Sequence, residues 1–167
     1  MNTILIVDDH SDIRRLLSIT LGKEFKILEA EDGVSALAAV RHHHPKVVLL
    51  DVMMPGIDGL EVLQQVKERH PEMDVIMMTG LSEIQTAVKA MKLGAFDYLS
   101  KPFDPDELKL VVSRALERRK LLQEIRKMLA LPQQAHVSQR LALDIDERGR
   151  SEPVVAHHAV DAGKVRL

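Results

Sequence analysis

The chain has 167 residues, 46% hydrophobic and 29% charged, with 23 basic against 25 acidic side chains. This is ordinary globular composition, and the formal net charge of -2 is too small to draw the chain as a whole onto nucleic acid or an anionic membrane. There is no cysteine, which excludes disulfides, thiolate nucleophiles, zinc ribbons and iron–sulfur clusters. The longest early apolar run, Ile4 to Val7, is far too short for a signal segment or a membrane span of roughly 20 residues, so a soluble, cytoplasmic protein is expected.

Five short strand-like runs follow one another: Ile4 to Val7, Phe25 to Ala30, Val47 to Leu50, Val75 to Met78 and Phe96 to Leu99. The segments between them have helical periodicity. The first helix is carried by Ile13, Leu16, Leu17 and Leu21, starts near Ser11 and stops at Gly22, a residue suited to a left-handed end. The second runs from about Gly33 into His42-His43-His44, where polar or cationic side chains suit a helix end better than they indicate a metal tract. The third uses Leu60, Leu63 and Val66, with Asp58 as a loop or helix-start acid. The fourth uses Ile84, Ala87, Val88 and Met91 behind a Ser82-x-x-Gln85 capping box, and Gly94 closes it. The fifth opens with Asp104 as N-cap, Pro105 and Glu107, then shows Leu108, Val111, Val112 and Ala115.

This alternation predicts an α/β fold, a doubly wound five-stranded parallel sheet with helices on both faces. Runs one, three and four are continuously apolar, whereas two and five are interrupted by charge and belong at the edges. The flavodoxin-like order 2-1-3-4-5 satisfies both this and right-handed crossovers. Such sheets bind ligands at the carboxyl ends of their strands, where Asp8, Asp9, Asp51, Thr79 and Lys101 fall. Carboxylates crowded there repel one another unless a cation sits among them, and an all-oxygen set points to Mg²⁺. Lys101 adds a point charge and Thr79 a hydroxyl, which suits stabilisation of a phosphoryl group with Asp51 as acceptor nucleophile.

Taken together, Asp8-Asp9, Asp51-Val-Met-Met-Pro-Gly-Ile-Asp-Gly59, Thr79-Gly80, Tyr98 and Lys101-Pro102-Phe103 resemble the receiver domain of bacterial response regulators over about residues 1–120. The second half is closest in wording to receivers of nitrogen-regulatory-type transcription activators. The resemblance implies that Asp51 accepts a phosphoryl group from a sensor histidine kinase or phosphotransfer protein, with Asp8, Asp9, Asp51 and the Met53 carbonyl holding Mg²⁺. It implies that Thr79 and Lys101 sense the phosphate and that Tyr98 turns inward, remodelling the surface of the fourth helix, fifth strand and fifth helix. It also implies a cis Lys101–Pro102 peptide. Such a domain is a signalling phosphoacceptor and not an enzyme in the turnover sense. Met53 and Leu81, two residues after Asp51 and Thr79, are both apolar and cannot hydrogen-bond a hydrolytic water, so slow self-dephosphorylation is expected. A flavodoxin-like FMN binder is disfavoured by its need for an uncharged phosphate loop, and a haloacid-dehalogenase-like hydrolase by Met53 standing where a second aspartate is required. The alternatives that stay open are a phosphorylation-independent binding or dimerisation module and a receiver fragment of a longer transcription regulator.

Beyond residue 120, a helical extension or linker is expected over 121–131 and a disordered or weakly structured tail over 132–167. No breaker precedes Pro132, so the fifth helix is expected to reach Leu129, a length of roughly 35 Å. Its stripe Leu121, Leu122, Ile125, Met128 and Leu129 suits a homodimer contact. Glu117 and Glu124 interleave with the basic residues, so direct nucleic-acid binding is not expected. Leu141 to Ile145 and Pro153 to Ala156 give a weak hairpin signal about Arg148-Gly149.

Overall fold

The computed structural model describes the backbone of residues 1–80 and 83–149, and side chains of these as far as residue 130. Five strands, β1 (Thr3–Val7), β2 (Lys26–Ala30), β3 (Val47–Asp51), β4 (Asp74–Gly80) and β5 (Asp97–Lys101), pair in parallel in the order β2-β1-β3-β4-β5. The helices are α1 (Ser11–Leu21), α2 (Gly33–His43), α3 (Gly59–Arg69), α4 (Ile84–Lys92) and α5 (Pro105–Gly149).

The two-residue period of the strands divides the core. Leu5, Val7, Val48, Leu50, Val75 and Met77 point to one face, where Ala36 and Val40 of α2, Val62, Leu63 and Val66 of α3, and Ala90 of α4 cover them. Ile4, Ile6, Val47, Leu49, Ile76 and Met78 point to the other, under Leu17 and Leu21 of α1 and Leu108, Val111, Val112 and Ala115 of α5. Helices therefore lie on both faces, and the interrupted strands β2 and β5 are the edges. Each fully buried aliphatic side chain contributes about 1.5–3 kcal/mol relative to exposure, which makes this two-sided burial the main source of stability.

Local chemistry sets the helix ends. Asp32 accepts the Ser35 amide at 2.7 Å and Asp58 the Glu61 amide at 2.9 Å, each within a capping box. Asp104 accepts the Asp106 amide at 2.7 Å, and Gly94 closes α4 at φ 100. Gly22 differs from expectation: it ends α1 in right-handed geometry, φ -66, with its amide bonded to Ser18 O, so no left-handed turn is used. The Ser82 capping box lies outside the described residues, and Glu83 stands before α4 without a side-chain cap.

Two apolar stripes are less buried than their periodicity suggests. Leu16 of α1 is exposed, as are Ile84, Val88 and Met91 of α4. On α4 it is Ala87 and Ala90 that meet the body, because small side chains let that helix lie close to the sheet and tilt the larger ones outward.

The chain divides into two compact units, Met1–Leu121 and Leu122–Leu167. The helix α5 does not stop before Pro132; its backbone continues to Gly149. The residues after Pro132 contain neither Gly nor Pro until Gly149 and are rich in Gln, Ala, Leu, Arg and Glu, whose propensities favour helix over the expected weak structure. Leu141 to Ile145 is accordingly helical and not a strand; its proposed partner, Pro153 to Ala156, and the tail from residue 150 onward lie outside the described residues.

Candidate functional site

Parallel strands deliver the chemistry to one rim. Asp8 directly follows β1, and three backbone-linked bonds fix it: its amide donates to Ala30 O at 3.2 Å, its carbonyl accepts Arg14 Nη1 at 2.7 Å, and its Oδ1 accepts the His10 amide at 2.9 Å. Asp51 closes β3 and is 4% exposed. The loop after it turns through Gly56 at φ 81 and returns so tightly that a Cβ on Gly59 would stand 2.1 Å from Asp51 O. Only glycine lets the start of α3 approach the end of β3 that closely. Thr79 lies in β4, buried, with its hydroxyl donating to Leu99 O at 3.5 Å, and the next amide, Gly80, donates to Glu83 Oε2 at 3.1 Å.

Lys101 ends β5, followed by a cis peptide to Pro102 as the resemblance implied. Its Nζ donates to Asp8 Oδ2 at 2.7 Å and lies 3.2 Å from Asp51 Oδ1. One ammonium thus bridges the carboxylates of two adjacent strands. Burial, and then the charge on Asp8, raise the Asp51 carboxyl above its usual range against the opposing pull of Lys101. Burial alone would depress Lys101; the Asp8 hydrogen bond and the charges of both carboxylates overcome it and raise that ammonium instead.

Ligand atoms of Asp8, Asp9, His10 and Asp51 all lie within 4.8 Å of one another. Asp9 Oδ1 is itself buried and has no hydrogen-bond partner, although His10 Nδ1 stands 3.1 Å away. Three carboxylates against one lysine, with one buried oxygen left unpartnered, fit a hard divalent cation. Tyr98, on the edge strand, is 45% exposed and its ring is not turned into the site. Met53 is 66% exposed. Leu81 lies outside the described residues.

Residues 4–113 match the response regulator receiver domain. The chain belongs to that family. Receiver domains as a family are signalling phosphoacceptors and not classical enzymes. It is 44% identical to the regulatory protein AtoC of Escherichia coli over 127 residues, 75% of this chain and 28% of AtoC. It is 39% identical to the nitrogen assimilation regulatory protein NtrX of Azorhizobium caulinodans over 155 residues, 87% of this chain and 34% of NtrX. The crystal structure of the receiver domain of NtrX from Brucella abortus is similar at a TM-score of 0.67 and 44% identity, covering 68% of this chain and 98% of that one. The chain spans about a third or less of the length of these curated relatives.

The geometry brings Asp8, Asp9, Asp51 and Lys101 together and sets Thr79 on the neighbouring strand. Leu121, Leu122, Ile125, Met128 and Leu129 are all exposed. Among the described residues no helix is long and apolar enough to cross a membrane. Two neighbours of the site escaped sequence reasoning. His10 sits next to the acidic pair, and its position directly after Asp8-Asp9 was the available signal. Glu83 caps Gly80, for which a carboxylate three residues on was a signal of the same kind.

Proposed function

We propose that this receiver is a phosphorylation-controlled switch in which Asp51 takes a phosphoryl group from a phosphohistidine of a sensor histidine kinase or phosphotransfer protein. The observation that carries this reading is the Lys101 ammonium set between Asp8 and Asp51 at 2.7 and 3.2 Å, beside an unpartnered Asp9 oxygen. An Asp51 carboxylate oxygen forms the new O–P bond while the P–N bond breaks, and the departing imidazole nitrogen keeps the electron pair. Asp8, Asp9, Asp51 and the Met53 carbonyl would hold Mg²⁺, which when bound supplies neutralisation of phosphoryl oxygens. Lys101 then exchanges a carboxylate for a phosphoryl oxygen as its partner. Thr79 gives up its long bond to Leu99 O and donates to the phosphate, and Tyr98 turns into the space behind it, shifting the population of the α4–β5–α5 surface.

The output belongs to a longer transcription regulator of the nitrogen-regulatory type, in the cytoplasm. This is supported by the similarity to NtrX, which covers 87% of the chain and so extends well past the receiver match at residue 113. The stripe Leu121, Leu122, Ile125, Met128 and Leu129 is the proposed homodimer contact.

The test is intact mass after incubation with Mg²⁺ and acetyl phosphate, for wild type and Asp51→Asn, with solution size recorded on the same samples. One phosphoryl addition requiring both Mg²⁺ and Asp51 is expected. No uptake by the wild type despite bound Mg²⁺ would overturn the reading in favour of a phosphorylation-independent binding module.

A further inference from the structure

His10 occupies the N-cap of α1, a position where Ser, Thr, Asp or Asn would ordinarily bond the first free amides. Its side chain makes no such bond. The ring is turned the other way, with Nδ1 3.2 Å from Asp8 Oδ1 and 3.1 Å from Asp9 Oδ1. It is also 68% exposed, so its orientation is held by the polar contact with Asp8 and not by packing. The carboxylate oxygens differ in what they have left to offer. Asp8 Oδ2 is taken by Lys101 and Asp8 Oδ1 by the His10 amide and the His10 ring nitrogen, whereas Asp9 Oδ1 has no hydrogen-bond partner. The imidazole nitrogen of the cluster therefore lies between an Asp8 oxygen with which it is hydrogen-bonded and a buried Asp9 oxygen that has no hydrogen-bond partner.

We propose that His10 is a metal-selecting residue of this site, able to give an imidazole nitrogen to a borderline first-row cation such as Co²⁺ or Zn²⁺ alongside the carboxylates of Asp9 and Asp51. The proposal rests on the receiver reading of the cation site and adds a donor to it. Mg²⁺ is hard and keeps oxygen and water around it, so it gains little from imidazole. Later first-row ions gain a great deal, and their affinity for a mixed N/O site rises along the series from Mn²⁺ to Cu²⁺. An all-carboxylate rim distinguishes these ions weakly. With His10 the rim binds Co²⁺ or Zn²⁺ more tightly than Mg²⁺ by more than the carboxylates alone would give, and such an ion competes for the place in which phosphorylation needs Mg²⁺.

The experiment uses the full chain and reads metal binding directly. Co²⁺ is titrated by its visible absorption, and Mg²⁺ by calorimetry, for wild type, His10→Ala and Asp9→Asn. The expected result is that His10→Ala weakens Co²⁺ about tenfold or more and changes its spectrum toward oxygen-only ligation, while Mg²⁺ affinity moves less than about threefold. Asp9→Asn weakens both ions. Unchanged Co²⁺ binding in His10→Ala overturns the proposal, and so does an equal loss of both ions, which would mean that His10 only positions the carboxylates. Co²⁺ binding insensitive to both substitutions would locate the ion at other histidines and overturn it as well. The receiver reading fails separately, if the wild type binds no Mg²⁺; His10-dependent Co²⁺ binding would survive that failure.

Discussion

Two buried aspartates stand at opposite ends of the same sheet and face opposite charge balances. Asp51 closes β3 at the carboxyl rim, where Asp8 and Asp9 join it and Lys101 is the ammonium between them. Asp74 opens β4 at the amino end, 2% exposed, with Arg118 Nη1 at 2.6 Å. Around it, Lys67 Nζ donates to Met73 O at 2.9 Å, Arg119 Nη1 to Lys46 O at 3.3 Å, and Arg118 lies 5.6 Å above the Phe96 ring. Burial raises Asp74, and the charges of Arg118, Arg119 and Lys67 oppose the rise. One end therefore has carboxylates in excess and the other cations in excess. The cation-rich end ties α5 to the sheet, with Arg119 Nε its one buried atom left without a hydrogen-bond partner among the described residues; the carboxylate-rich end is short of positive charge and could take up a cation. A buried acid alone indicates neither role, and the count of neighbouring charges separates them.

The largest effect on this contrast is expected from Gly59→Ala. Its Cβ would meet Asp51 O at 2.1 Å and Val52 Cα at 2.7 Å, backbone that cannot swing aside. A loss of about 3 kcal/mol in denaturant unfolding is expected, together with weakened Mg²⁺ binding as the end of β3 shifts. Next comes Lys101→Met, which leaves Asp8 and Asp51 facing each other without their ammonium. It should cost about 2–3 kcal/mol in the absence of divalent ions, and Mg²⁺ should restore more stability to it than to the wild type in paired thermal melts. Asp74→Ala should cost about 1–2 kcal/mol, since Arg118 loses its acceptor yet is itself half exposed and partly screened, and it should leave Mg²⁺ affinity unchanged by calorimetry.

The smallest effect carries the opposite sign. Asp51→Asn removes a carboxylate that burial and Asp8 disfavour, and without Mg²⁺ it should stabilise the fold slightly in denaturant unfolding. The pH dependence follows from the direction of the Asp51 shift. Between the ordinary value of 3.8 and its raised value, the folded state holds more protons than the unfolded state, so stability falls as pH rises through that window. Asp74 contributes in the same direction. Unfolding measured across that window should therefore show a shallower slope in Asp51→Asn than in the wild type, with the Asp74 part remaining.

Much of the fold was legible because its signals are local. Apolar continuity marked β1, β3 and β4 as interior, charge marked β2 and β5 as edges, and strand ends carried the acids, the threonine and the lysine. What periodicity could not tell is which part of an apolar stripe touches the sheet. On α4 the contact falls to Ala87 and Ala90, and Ile84, Val88 and Met91 stay outside. Pro132 read as a stop because proline costs about 3 kcal/mol within a helix, yet the propensities of the residues beyond it favour helix to Gly149. In the sequence, a histidine beside two acids has no special meaning; only the turn of the backbone at His10 shows where its ring faces.

The exposed edge-strand ring of Tyr98 has a practical side. The chain contains one tyrosine and no tryptophan. Light absorbed at wavelengths where phenylalanine is transparent is therefore absorbed at a single position, on the surface expected to change between states. Emission from the unlabelled protein is a one-residue optical record, and its sensitivity to quenchers in water follows directly how far that ring stands out of the sheet edge.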